Sequence, residues 1–261
     1  MSDATTGINQ AYFKYVALYL HNISRINAIP SMDSAGQSGT SKAFNYDEKF
    51  QKTVGQLHEE LQQRSDFLGV KPGGRLLDYA CGTGLALGAG LSQCVGIDIA
   101  ESMVERYNAN AKANGLALDK RAAYLGNLFS PDDPSPAAFA SPNFFDFDLA
   151  GVGLGFHHID DCVLAAKRLS ERLKPGGSLF IVDFVSHAPL DHGATSLGIR
   201  HHGFSEDQIR AIFDEAGVGN NFKFETMDED ISFDHAHGGN HMVRRVFFAR
   251  GDKTASTTAH I

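Results

Sequence analysis

At 261 residues, with 43% hydrophobic and 21% charged side chains, the chain can bury one sizeable core with a short appended arm, while two complete domains would be cramped. A formal net charge of −8 disfavours nucleic acid as the main partner and favours small neutral or cationic molecules. Three cysteines without a Cys-x-x-Cys pair fit a reducing, cytoplasmic setting, and neither a signal-like N-terminus nor an 18-residue apolar run points to secretion or a membrane.

Residues Ile8 to Ile29 carry Phe13, Val16 or Ala17, Leu20 and Ile23 at helical spacing, which predicts an amphipathic helix. Ser31 to Lys42 is small and polar, as in a flexible linker. A second helix is expected from Asp47 to Leu68, with Phe50, Val54, Leu57 and Leu61 on its buried face, broken by Pro72-Gly73-Gly74. The domain division is therefore an arm and linker at 1–45, a main domain at 46–250 and a disordered tail at 251–261.

From Arg75 onward, strand-like and helix-like segments alternate, which predicts a doubly wound, mostly parallel α/β sheet of seven strands. Strands are expected at Arg75–Ala80, Cys94–Ile99, Ala122–Asn127, Phe145–Leu154 and Ser178–Val185. Helices are expected near Thr83–Leu91, Glu101–Gly115, Asp160–Leu173 and Ser205–Gly217. Phe222–Met227 and Arg244–Arg250 suit an antiparallel hairpin at the sheet edge, separated by a Gly/His-rich loop. Four prolines between Pro131 and Pro142 allow only a short helix between the third and fourth strands.

The chemistry begins at Leu76-Leu77-Asp78-Tyr79-Ala80-Cys81-Gly82-Thr83-Gly84, an apolar strand ending in an acid and a Gly-x-Gly turn. Such a turn faces the ligand crevice at the carboxyl ends of parallel strands, though taken alone it can also be a plain packing turn. Twenty residues beyond Asp78, Val95-Gly96-Ile97-Asp98-Ile99 is a second strand ending in an acid. A carboxylate there can accept two hydroxyl donors from a ribose, or it can cap the helix that starts near Glu101.

With these elements the chain resembles the class I S-adenosylmethionine-dependent methyltransferases, particularly their small-molecule branch. The resemblance rests on Leu76 to Gly84, Gly96 to Tyr107, Gly126-Asn127-Leu128, Phe147 to Asp161 and Leu173 to Ser178. It implies S-adenosylmethionine as the cofactor, with Ala80, Cys81, Gly82 and Gly84 around its methionine part and Asp78 at its ammonium. By the same resemblance Asp98 takes the ribose hydroxyls, Ile99 and Met103 flank the adenine, and Asn127 and Leu128 meet its edge. Tyr46 lies near the cofactor, and Val152, Gly153 and Leu154 flank the sulfonium.

His157 and His158 follow the fourth strand, where a histidine can act as general base, can only position the acceptor, or can cap the helix opening at Asp160. His201 and His202 are further candidates for contact with the acceptor. His235, His237 and His241 have ligand-like spacing, but Gly238-Gly239 and the lack of a cysteine argue for no metal. No Asn/Asp-Pro-Pro-Tyr or Pro-Cys segment follows the fourth strand, which argues further against nucleic-acid modification.

The expected function is methyl transfer to a small-molecule acceptor by in-line displacement, the acceptor atom being O, N, S or C. The N-terminal helices would form a lid, or the first helix would pack on a second subunit as a homodimer. Two alternatives stay open at this point: a nicotinamide-dependent oxidoreductase, which fits less well because Gly82 to Gly88 is one residue longer than Gly-x-Gly-x-x-Gly, and a non-catalytic cofactor-binding subunit.

Overall fold

The structure, a computed structural model, describes residues 55–84, 90–188, 199–236 and 240–255. The predicted first helix, the linker, Tyr46 and most of the predicted helix at 83–91 lie outside these residues.

A helical run over 55–63 leads through Arg64 into α1 (Ser65–Leu68), which ends on Gly69 in the left-handed conformation at φ 81°. There follow β1 (Arg75–Tyr79), β2 (Gln93–Asp98), α2 (Glu101–Ala113), β3 (Arg121–Leu125), β4 (Phe147–Gly153), α3 (Cys162–Arg172) and β5 (Leu173–Phe184). The chain continues through α4 (Glu206–Glu215), β6 (Asn220–Thr226), β7 (Ile231–Ala236), β8 (Asn240–Arg244) and β9 (Val246–Asp252). Two short 3-10 turns, Ala137–Phe139 and Pro142–Phe144, fill the proline-rich connection between β3 and β4.

Seven strands form one sheet in the order β3-β2-β1-β4-β5-β9-β6, with β1 to β5 parallel and β9 antiparallel to both neighbours. Because both faces are covered, the central strands are apolar throughout rather than alternating. On one face Leu77, Ile97, Val152 and Ile181 pack against Ala165 and Leu169 of α3 and Ile209 and Phe213 of α4. On the other, Leu57, Leu61 and Leu68 pack on Leu76, Leu149, Phe180 and Phe248. The helix ends are fixed locally: Asp161 accepts from the Leu164 N–H, and Ser205 and Gln208 form a reciprocal capping box.

The C-terminal third departs from expectation in two ways. β6 and β9 do pair antiparallel, but β9 lies between β5 and β6, and the segment expected as a Gly/His-rich loop instead forms the separate β7–β8 hairpin. Nor does order stop at Arg250. Asp252 accepts from Ser178 Oγ at 2.7 Å and Asn221 Nδ2 at 3.0 Å, while Lys253 Nζ donates to the carbonyls of Ser170 and Leu173. These long-range bonds tie down a stretch whose composition alone reads as a tail.

Candidate active site

Strand β1 pairs with β2 on one side and with β4 on the other, so successive connections leave it in opposite directions. The crevice opened by that reversal lies at the carboxyl ends of β1 and β4, where an open parallel sheet binds its ligand. On the β1 side the chain turns sharply, with Ala80 at φ 54°, Gly82 at φ 52° and Gly84 at φ 103°. On the β4 side Gly155 comes so close that a Cβ there would stand 3.0 Å from the Ala80 methyl, so the two loops are in contact. Cys81 turns its thiol inward: a Cβ on Gly96 would sit 2.7 Å from its sulfur, and the thiol is packed near Tyr107 and Ala123.

The Asp78 side chain is only 7% exposed, and no group among the described residues donates a hydrogen bond to its carboxylate. Burial pushes its pKa up to about 7; Arg121 opposes that shift and Asp98 adds to it. A desolvated carboxyl lacking a donor is a receptor for a cation. Asp98 is differently placed. Its Oδ2 accepts the Gly82 N–H at 2.8 Å and its Oδ1 the Ala100 N–H at 2.9 Å, so it ties the glycine turn to the start of α2. Each oxygen keeps a further lone pair, so shaping the turn and receiving a diol are compatible.

Beside Asp98, Ile99 is 70% exposed and Met103 half-buried. Asn127 Oδ1 accepts both the Phe129 N–H at 2.8 Å and the Tyr79 hydroxyl at 3.0 Å. Since the Phe129 N–H can only donate, the amide orientation is fixed and its NH2 group is what remains for another partner. Burial holds the Tyr79 phenol well above its ordinary pKa, opposed by a hydrogen bond from the Leu128 backbone. Leu128 itself is 1% exposed and packs in the core.

At the end of β4 the side chain of Val152, expected beside the sulfonium, is fully buried in the core. Gly151 is glycine for sheet packing rather than for open space, since a Cβ would fall 2.4 Å from the Phe180 carbonyl oxygen. Leu154 takes φ 55° and donates its N–H to Val182 O, which turns the chain toward His157.

His157 is held from two directions. Its ring Nδ1 lies 2.7 Å from Asp183 Oδ1, and its backbone N–H donates to Asp183 Oδ2 at 3.0 Å. Asp183, at the end of β5, is completely buried and also accepts the Phe184 N–H. Sequence reasoning missed it, although an acid inside the apolar run Leu179-Phe180-Ile181-Val182-Asp183-Phe184 is costly unless partnered, and that cost was the signal that could have found it. Paired with a carboxylate, Nδ1 carries the proton and Nε2 the lone pair. The helix after the His pair is capped by Asp161, not by either histidine.

His158 is exposed, its ring 4.1 Å from that of His157. His201 serves the loop structure, since its Nε2 bonds the Ile159 carbonyl at 2.9 Å and its backbone N–H donates to His157 O. His202 packs instead beside His187 at 5.8 Å. Among the described residues no cluster of three His, Cys, Asp or Glu could hold a metal; the side chains of His235, His237 and His241 lie outside them.

The sheet order, the glycine turn and the two strand-end acids define a class I S-adenosylmethionine-dependent methyltransferase fold. Residues 51–220 match the methyltransferase domain, and the chain belongs to that family, which sets aside the nicotinamide alternative. Among curated proteins it is 32% identical to an uncharacterized methyltransferase of Schizosaccharomyces pombe, over 58% of this chain and 55% of that protein. It is 27% identical to a demethylmenaquinone methyltransferase of Staphylococcus aureus, over 44% of this chain and 45% of that one. The chain thus spans about half the length of the curated relatives it matches. The YcgJ protein of Bacillus subtilis aligns at TM-score 0.59 and 17% identity, over 76% of this chain and 100% of that one. A Haemonchus contortus phosphoethanolamine N-methyltransferase, solved with phosphomonomethylethanolamine and S-adenosylhomocysteine, aligns at 0.54 and 17%, over 82% and 57%.

Proposed function

We propose that the chain transfers a methyl group from S-adenosylmethionine to a small-molecule nucleophile. The observation that carries this reading is Asp78, a buried carboxyl without a hydrogen-bond donor among the described residues near the end of β1, where the cofactor's ammonium would supply that donor and add to the charge of Arg121. The remaining residues fit the same group. Asp98 keeps lone pairs for the ribose, the Ala80–Gly84 turn exposes backbone to the amino-acid end, and Ile99 offers an apolar surface to the adenine. Asn127, its oxygen already engaged, would offer donors to the ring edge.

When bound, S-adenosylmethionine supplies an activated sulfonium methyl. The protein's part is then to align the acceptor, exclude water and take a proton. Alignment contributes on the order of 7–11 kcal/mol in favourable cases, against roughly 3–5 kcal/mol for a positioned base. His157 is the base on this reading, receiving the acceptor's proton at Nε2 while Asp183 holds the ring and stabilises its charged form. Gly153 and Leu154, partly exposed at the end of β4, would flank the sulfonium.

Calorimetry and a transfer assay test this reading together. Calorimetry should show saturable binding of S-adenosylhomocysteine, and Asp98→Ala should abolish it. Labelled methyl transfer to a panel of hydroxyl, amine and thiol metabolites should then identify an acceptor. Absence of binding by the wild-type chain would remove the proposal.

A further inference from the structure

Beyond the carboxyl edge of β5, three segments from distant parts of the chain lie side by side. Phe204 N–H donates to Phe184 O, Ser186 N–H to Phe204 O and His187 N–H to His202 O, while Val185 N–H donates to Arg245 O on the other side. The register Phe184↔Val246 carries this alignment on toward Arg244, at the end of the β7–β8 hairpin. The hairpin is seated by Phe233, whose ring meets Phe184 edge-on at 5.7 Å. His187, His202 and Arg244 therefore come from neighbouring backbone segments, and Phe184 adjoins both His187 at 6.5 Å and His157 at 5.0 Å.

This corner has an unbalanced charge. Arg245 pairs with Asp230, and Arg200 with Asp160. Arg244 pairs with no carboxylate among the described residues, and its Nη1 donates to Val243 O. Partial burial lowers its pKa, and it lowers that of His187 in turn, after burial and ahead of His202 and His157. His202 Nδ1 is buried without a hydrogen-bond partner among the described residues, and His187 Nδ1 lies 2.8 Å from Ala188 O, leaving its Nε2 for another group. A half-buried guanidinium with two histidines and no counter-charge among the described residues is costly to assemble unless an anion completes it.

We infer that Arg244, His187 and His202 form a subsite for one oxyanion, a carboxylate or phosphate group borne by the methyl acceptor. The guanidinium presents paired N–H donors to two oxygens; His187, whose Nδ1 proton is engaged by Ala188 O, donates from Nε2 on taking up a second proton with the anion, and His202 adds another donor. Anchoring at this corner directs the rest of the acceptor past Phe184 to His157. The overall charge of −8 favours neutral or cationic molecules at long range, but Arg244 places a positive charge at this corner. The inference rests on the proposal that the acceptor reacts beside His157, and its test is independent of turnover.

The full chain, saturated with S-adenosylhomocysteine, is titrated with inorganic phosphate and separately with acetate while histidine ring signals are followed by NMR. His187→Gln and His202→Gln assign those signals. At least one anion should move both rings along a saturating curve, and which anion does so identifies the source. Arg244→Gln should weaken that binding about tenfold or more, while Arg244→Lys keeps the charge and most of the affinity. Calorimetry with S-adenosylhomocysteine should be the same for all three Arg244 forms. If neither anion saturates these rings, or if Arg244→Gln binds as tightly as wild type, the subsite does not exist. Loss of nucleoside binding with the anion response intact would instead count against the methyl-transfer reading.

Discussion

His157 Nδ1 and Asp183 Oδ1 lie 2.7 Å apart, joining the turn after β4 to the end of β5. The same carboxylate takes the backbone N–H of His157, so it sets both the position of the residue and the tautomer of its ring. His157→Ala should slow turnover by about 10²-fold without abolishing it, because alignment remains. Asp183→Asn nearly conserves shape but puts an NH2 group where two N–H donors converge. It should lower kcat by a comparable factor and change the pH profile of kcat, leaving S-adenosylhomocysteine affinity unchanged. An unaltered profile would reduce Asp183 to a structural role.

On the proposed reading, in which the cofactor's ammonium lies against Asp78, cofactor binding depends on pH. Its folded pKa, about 7, lies above the ordinary 3.8, so the folded chain keeps a proton that the unfolded chain releases. Stability therefore falls as pH rises through this window, and the cost is fully present above about 7. The cofactor's ammonium reverses the preference by favouring the ionised form. S-adenosylhomocysteine should bind more tightly as pH rises through about 7, with proton release below it. Calorimetry in two buffers of different ionisation enthalpy measures that release, and Asp78→Asn should remove it. Equal affinity on both sides of neutrality would refute the assignment.

His58 acts in the opposite direction. It is 2% exposed, and burial, aided by Arg121, lowers its pKa from 6.5 to about 4. The unfolded chain therefore binds a proton that the folded chain refuses, and stability falls as pH drops from 6.5 toward about 4. His58→Gln should flatten that part of the stability curve in urea titrations. If the acid limb is unchanged, His58 does not set it.

Ala80 holds φ 54°, a region that costs a non-glycine residue about 1–2 kcal/mol. Part of any gain from Ala80→Gly is offset by the greater freedom of glycine when unfolded, so the variant should be more stable by about 0.5–1 kcal/mol. A melting point raised by a few degrees, with cofactor affinity retained, is the expected result; a lower one would show that the methyl's contact with the Gly155 loop matters more.

Gly151→Ala tests the packing of the sheet beneath the site. The added methyl would meet both the carbonyl oxygen and the ring of Phe180, so β4 and β5 must separate. A loss of about 3 kcal/mol is expected from thermal or urea unfolding, at the upper end of overpacking costs. Activity should fall as well, since the strands that separate carry His157 and Asp183.

The parallel strands and the glycine turn were legible in the sequence because apolar runs ending in acids are local signals. Strand β5 begins earlier than expected, at Leu173, because Lys174 to Gly177 bulge out between the pairs Phe147↔Leu173 and Leu149↔Ser178. The β7–β8 hairpin was hidden by glycine and histidine composition, although Ile231-Ser232-Phe233 carries the strand alternation. Which histidines stay open to a ligand was not legible at all. His201 and His202 are adjacent in sequence, yet one is tied to Ile159 O and the other faces His187, a distinction made by tertiary contacts alone.

Because β9 lies between β5 and β6, the penultimate strand of the main sheet has to wait for the final one. While the polypeptide emerges from the ribosome, residues 220–226 have no neighbour in that sheet until 246–252 have followed them. Until then β5 keeps an open edge, and a chain that stops short of Val246 leaves that edge as an adhesive rim.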